Sequence, residues 1–177
     1  MSKNLAFSRQ KLLPLVLLFV VVVLDQLTKI AVIKTIAPGE IGFSFAGDFL
    51  RFIHVSNPGI AFSIGQGWSL GLRTAFFRFL PVLVLIFVMI FYFRTEDLTF
   101  LQRWAITGIV GGGFGNLIDR FFRSEGVVDF IDVKFYGLFG FERWPTFNVA
   151  DSAVVVCGIL LTITFLFQGK SKSGEQK

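Results

Sequence analysis

Charge is scarce in this chain: only 16% of its 177 residues are Asp, Glu, Lys or Arg. A soluble domain carries about 25%. Cysteine is nearly absent, and the lone Cys157 excludes an intrachain disulfide and a Cys-rich metal site. A lone histidine, His54, removes any histidine-based zinc set, so no metal or cofactor is expected. The 17 Lys and Arg residues are scattered, without a basic run interleaved with aromatics, so no nucleic-acid partner is expected. What fills the chain instead is apolar: 54% hydrophobic residues, 24 of them Phe. A globule of this size cannot hide that much apolar surface from water. A small integral membrane protein is the class that remains.

Four stretches approach the roughly 20 apolar residues that a bilayer crossing requires: 12–33, 71–93, 100–120 and 150–168. The first reads as an uncleaved helix, because the apolar run resumes after Asp25 and Lys29 and no small-x-small cleavage site follows. Positive charge is dense in three short segments: Lys3, Arg9 and Lys11 before the first stretch, Arg94 and Arg103 around the second link, and Lys170, Lys172 and Lys177 in the tail 169–177. The positive-inside rule puts these segments and both termini in the cytoplasm. Of the two outer connections, 40–66 alternates Phe and Ile runs with the turn residues Gly47-Asp48 and Asn57-Pro58-Gly59, the pattern of short strands or a hairpin at the membrane surface. The other, 121–147, is mixed, with Asp132 reading as solvated loop. Residues 1–177 thus form a single integral membrane domain without internal repeats. The expected architecture is a membrane all-α bundle of four transmembrane helices with a small extracytoplasmic β-hairpin or sheet.

Polar residues inside spanning helices are costly and ask for a reason. Asp25 and Lys29 are four apart, on one helix face. They read either as an interfacial ion pair with Lys29 snorkelling outward or as support for a site. The third span ends in GIVGGGFGNLIDRFF. Its glycines permit close helix approach, and Asn116 and Arg120 share a face. Asp129 lies between Val128 and Phe130, an apolar setting that raises a carboxyl pKa. Asn148 and Asp151 open the fourth span at capping-box spacing. With alternating spans, all these residues and Asn57 reach one outer membrane face. Independent caps would not need to converge there.

Five strings, in this order and spacing, carry a resemblance: DQLTK at 25–29, NPGIAF at 57–62, GNLIDR at 115–120, VVDF at 127–130 and FNVADS at 147–152. Over essentially its whole length the chain resembles the lipoprotein signal peptidase (signal peptidase II) family of bacterial membrane aspartyl proteases. The resemblance implies Asp129 and Asp151 as the catalytic pair. It implies Asp25, Lys29, Asn57, Gly59, Asn116, Arg120 and Asn148 as supporting or substrate-binding residues. It implies a diacylglyceryl-prolipoprotein substrate cut on the amino side of the lipidated cysteine, inhibition by globomycin-type cyclic peptides, and a place in the bacterial cytoplasmic (inner) membrane. A monomer among membrane lipids is expected, with the site at the extracytoplasmic face. Two close carboxylates share one proton, so one can act as base on a water while the other protonates the leaving amine. Asn148 and Asn116 are expected to orient the pair, Arg120 to hold Asp119 or a substrate carbonyl, and Lys29→Ala to lower stability more than chemistry. The rival reading is a small proton-coupled membrane transporter, which predicts acids spread through the membrane depth.

Overall fold

The computed structural model describes residues 9–58 and 69–174. It contains four long helices: α1 (Leu15–Thr35), α2 (Leu70–Arg94), α3 (Phe100–Phe122) and α4 (Val149–Gly174). Three strands accompany them: β1 (Ile41–Phe45), β2 (Leu50–Asn57) and β3 (Val127–Val133). The helices fall within a few residues of the four apolar stretches, except that α4 runs on into the basic tail.

Three helical segments, 9–35, 74–94 and 149–167, are long and apolar enough to cross a membrane. α3 is the exception, and its packing explains why. It runs through the middle of the bundle against α1, α2 and α4, and most of the residues on its inner faces are buried, including Ala105, Ile106, Val110 and Leu117. A helix clothed by protein needs small residues more than greasy ones. A Cβ on Gly111 would meet Leu18 and Val21 of α1, and one on Gly112 would strike the Ala150 carbonyl of α4. The outer helices carry the exposed apolar load, with Phe19, Leu83, Phe87 and Val156 each more than half exposed.

The sheet is antiparallel in the order β1-β2-β3. Its third strand comes from the connection read as mixed, and this is a correction: Asp132 is not solvated loop but a buried strand residue, 3% exposed. Arg51 of β2 and Arg143 hold it at 2.6 and 2.7 Å. Charge pairing let an acid sit in a strand that alternation alone would have disqualified. The sheet rests on the C-terminal end of α1 through Val32, Ile36, Val128 and Phe130. After β3 the chain doubles back, and Phe147 exchanges backbone hydrogen bonds with Ile131. That clip sets the first residues of α4 beside β3.

Candidate active site

One end of the bundle collects the polar residues. α1 supplies Asp25 and Lys29, β2 ends in Asn57, α3 supplies Asn116, Asp119 and Arg120, β3 carries Asp129, and α4 starts at Asn148 and Asp151. Gly59 lies outside the described residues.

The start of α4 is a reciprocal cap. Asp151 N donates to Asn148 Oδ1 at 2.9 Å, and Asn148 N donates to Asp151 Oδ2 at 3.2 Å. Two backbone amides at the helix start are thereby satisfied. The cap reading and the site reading both hold, because Asn148 has a free amide end. Its Nδ2 donates to Asp129 Oδ1 at 2.7 Å, and also approaches Asn116 Oδ1 at 3.1 Å and the Val128 carbonyl at 3.3 Å. Asn116 Nδ2 in turn donates to Asp151 Oδ1 at 2.7 Å. Asn57 Nδ2 reaches the other oxygen of Asp129 at 3.1 Å. The two carboxylates are therefore joined through a pair of asparagine side chains.

Asp129 is 4% exposed. Burial first, and then the negative charge of nearby Asp151, push its pKa up to about 7, against the hydrogen bonds from Asn57 and Asn148 that favour its charged form. A carboxyl that holds its proton near neutrality, beside one held by amide donors, is the asymmetry that acid–base chemistry requires.

Behind this pair sits Lys29, fully buried rather than snorkelling outward. Its three N–H bonds have three acceptors: Asp25 Oδ2 and Asp119 Oδ2, each at 2.8 Å, and Asn116 Oδ1 at 3.0 Å. An ammonium only donates. Lys29 therefore fixes which end of the Asn116 amide is oxygen, and so turns its NH₂ toward Asp151. Asp25 also accepts the Ala150 N–H at 3.0 Å, which anchors the first turn of α4 to α1.

Asp119 is held by Lys29, by Arg123 Nε at 2.9 Å, by Gln26 and by the Val128 N–H. Arg120 does not hold it, contrary to one of the two roles expected for that residue. Arg120 makes no hydrogen bond among the described residues, and its Nε is buried without a partner. Its charge faces Asp151, Asp129 and Asp119. Sequence reasoning missed Gln26 and Arg123 as members of the network. The signal for Arg123 was its i+4 spacing from Asp119. Gln26 had none, since its role depends on α1 crossing α3. Among the described residues, no group of three or more His, Cys, Asp or Glu side chains could hold a metal ion.

The chain as a whole has known relatives. Residues 17–167 match the family described as Signal peptidase (SPase) II. The chain is 48% identical over 168 residues to the lipoprotein signal peptidase of Treponema pallidum (strain Nichols), covering 95% of this chain and 90% of that protein. It is 52% identical over 157 residues to the lipoprotein signal peptidase of Treponema denticola, covering 89% and 90%. A solved bacterial membrane enzyme, determined by the in meso method at 2.3 Å resolution, matches with a TM-score of 0.74 and 30% identity over 90% of each chain. The family match covers most of the chain, and the chain belongs to the signal peptidase II family.

Proposed function

We propose that Asp129 and Asp151 are the catalytic pair of a lipoprotein signal peptidase, cleaving a prolipoprotein on the amino side of a cysteine that already carries diacylglycerol. The observation that carries this is the Asp129–Asn148–Asn116–Asp151 chain of hydrogen bonds, with its two outer links at 2.7 Å each. Two carboxyls this closely linked share one proton, and burial favours the protonated form of Asp129 in the empty site. The pair titrates as a unit once substrate and water enter. The ionised carboxylate takes a proton from water, which adds to the scissile carbonyl as the protonated carboxyl donates to its oxygen. Collapse of the tetrahedral intermediate breaks the C–N bond. The departing nitrogen takes a proton from the pair, leaving the signal peptide with a new carboxylate and the lipidated cysteine with a free amine.

The asparagines suit this work because neutral amides orient carboxylates without changing the net charge of the pair. Arg120, which makes no hydrogen bond among the described residues and faces both acids, is placed to steady the oxyanion or a substrate carbonyl. α3 is a fourth span in this reading, shielded from lipid by the other three. The inner-membrane location, the cytoplasmic termini, the extracytoplasmic site with its sheet on the membrane surface, the monomeric state and inhibition by a globomycin-type peptide all belong to the same proposal. The density of Lys and Arg in the short connections supports the orientation. An interfacial site fits a substrate whose acyl chains hold it at that depth, at about 0.8 kcal/mol per buried CH₂.

The test is cleavage of a diacylated precursor, followed by gel shift, with unmodified precursor as control. Asp129→Asn and Asp151→Asn should each lose several orders of magnitude in turnover while keeping the thermal midpoint in detergent within a few degrees. Near-normal turnover by either folded variant would overturn the assignment.

A further inference from the structure

Beside the paired aspartates, between the outer ends of α2 and α3, lies a cleft of about 320 Å³ lined by Arg78, Arg120 and Arg123 together with Thr74, Ser124 and Phe77. Three guanidiniums around one small space repel one another unless an anion joins them. Arg123 is committed to Asp119 and Gln26. Arg78 and Arg120 make no hydrogen bond among the described residues. Arg78 has only the Phe121 ring, its Cζ 6.0 Å from the centroid.

The charges around the cleft do not balance. Its described lining residues include three guanidiniums and no acid, and of the three only Arg123 has a carboxylate at salt-bridge distance, Asp119 at 2.9 Å, which leaves positive charge in excess. Glu125 does not cancel it, being turned to Ser56 of β2. A monoanion would complete the set, and guanidiniums pair with phosphate oxygens in their preferred forked geometry. The surroundings of the cleft say what the anion is attached to. On the face of α2 that carries Arg78, an apolar groove runs on between α2 and α3, lined by Val82, Leu85, Ile86, Met89 and Phe114. A ligand with a phosphodiester between the arginines and hydrocarbon along that groove satisfies both surfaces.

We propose that this cleft binds the phosphodiester headgroup of an anionic membrane phospholipid, with its acyl chains lying in the apolar groove between α2 and α3. The proposal rests on the membrane orientation given above but not on the peptidase chemistry. The bound lipid holds Arg78 and Arg120 together at the edge of the site, and it adds to the negative charge that Arg120 draws from Asp151, Asp129 and Asp119.

The purified full-length protein in detergent is mixed with dioleoyl phosphatidylglycerol or dioleoyl phosphatidylcholine, and bound lipid is counted by native mass spectrometry. The protein is expected to retain one phosphatidylglycerol at about tenfold lower lipid concentration than phosphatidylcholine. Arg78→Gln is expected to abolish that preference, the size of one lost charge-assisted contact, and Arg78→Lys to keep part of it. Peptidase turnover in lipid-free detergent should be unchanged in Arg78→Gln, so failure of lipid selection and failure of the catalytic assignment are read separately. Equal retention of the two lipids, or unaltered selection by a folded Arg78→Gln, overturns the proposal. Displacement of the lipid by millimolar inorganic phosphate, which would mark a site for free anions, also overturns it.

Discussion

Lys29 offers the sharpest test of how the site is held, because two effects of its loss can be pulled apart. Lys29→Met leaves Asp25 and Asp119, both without solvent exposure, deprived of a cation at 2.8 Å. Breaking a buried pair on one side costs about 3–5 kcal/mol. The lower end applies here, since Asp119 keeps Arg123 and Asp25 keeps the Ala150 amide. The same change frees Asn116, whose oxygen loses its donor at 3.0 Å. The remaining donor, Asn148 Nδ2, is shared with Asp129, so Asn116 can turn its carbonyl toward Asp151. Losing a hydrogen bond to a charged group is worth about 1.5–3 kcal/mol, which is about ten- to hundredfold in kcat/KM. The double variant Lys29→Met/Asp25→Asn separates the two. It removes one charge of each sign, and the asparagine oxygen can still cap Ala150. It should recover most of the lost thermal midpoint in detergent, yet turnover of diacylated precursor should stay about tenfold or more below that of the unaltered protein. If the double variant regains full turnover, Lys29 is only a counter-ion for Asp25, and the orienting argument is wrong. Full stability with lost cleavage in Lys29→Met alone would also contradict this account of the buried pair.

Other expectations follow from the same geometry. Asp129, with its pKa raised from 3.8 to about 7, binds a proton in the folded state that it releases in the unfolded one. Its contribution is therefore fully present below pH 3.8 and is lost as the pH rises through about 7. The thermal midpoint should fall between pH 5 and 8 less steeply in Asp129→Asn than in the unaltered protein, and cleavage by the unaltered protein should show an alkaline limb near pH 7. Asn57→Ala removes a donor to the charged form of Asp129 at 3.1 Å, so that limb should move to higher pH; a shift downward would refute the role given to Asn57. Gly112→Ala drives a methyl into the Ala150 backbone carbonyl at the α3–α4 contact. It should cost about 1–3 kcal/mol, read as a lower midpoint in detergent.

Much of this protein was settled by its amino acids alone. Apolar runs of bilayer length specify helices whatever they pack against, because a backbone in hydrocarbon must satisfy its own hydrogen bonds. The local spacing of Asn148 and Asp151 specifies a cap, and the pattern of motifs specifies the family. What the sequence did not determine depends on contacts between distant segments. β3 was hidden because Asp132 looks like a loop residue until Arg51 and Arg143 neutralise it. α3 looked like one span among four. Only the bundle makes it the central helix, its glycines admitting α1 and α4. Lys29 had two equally sensible readings along α1, outward to water or inward to a site. The choice was made by Asp119 and Asn116, nearly ninety residues away, because burying an ammonium is tolerable only where three acceptors are already waiting.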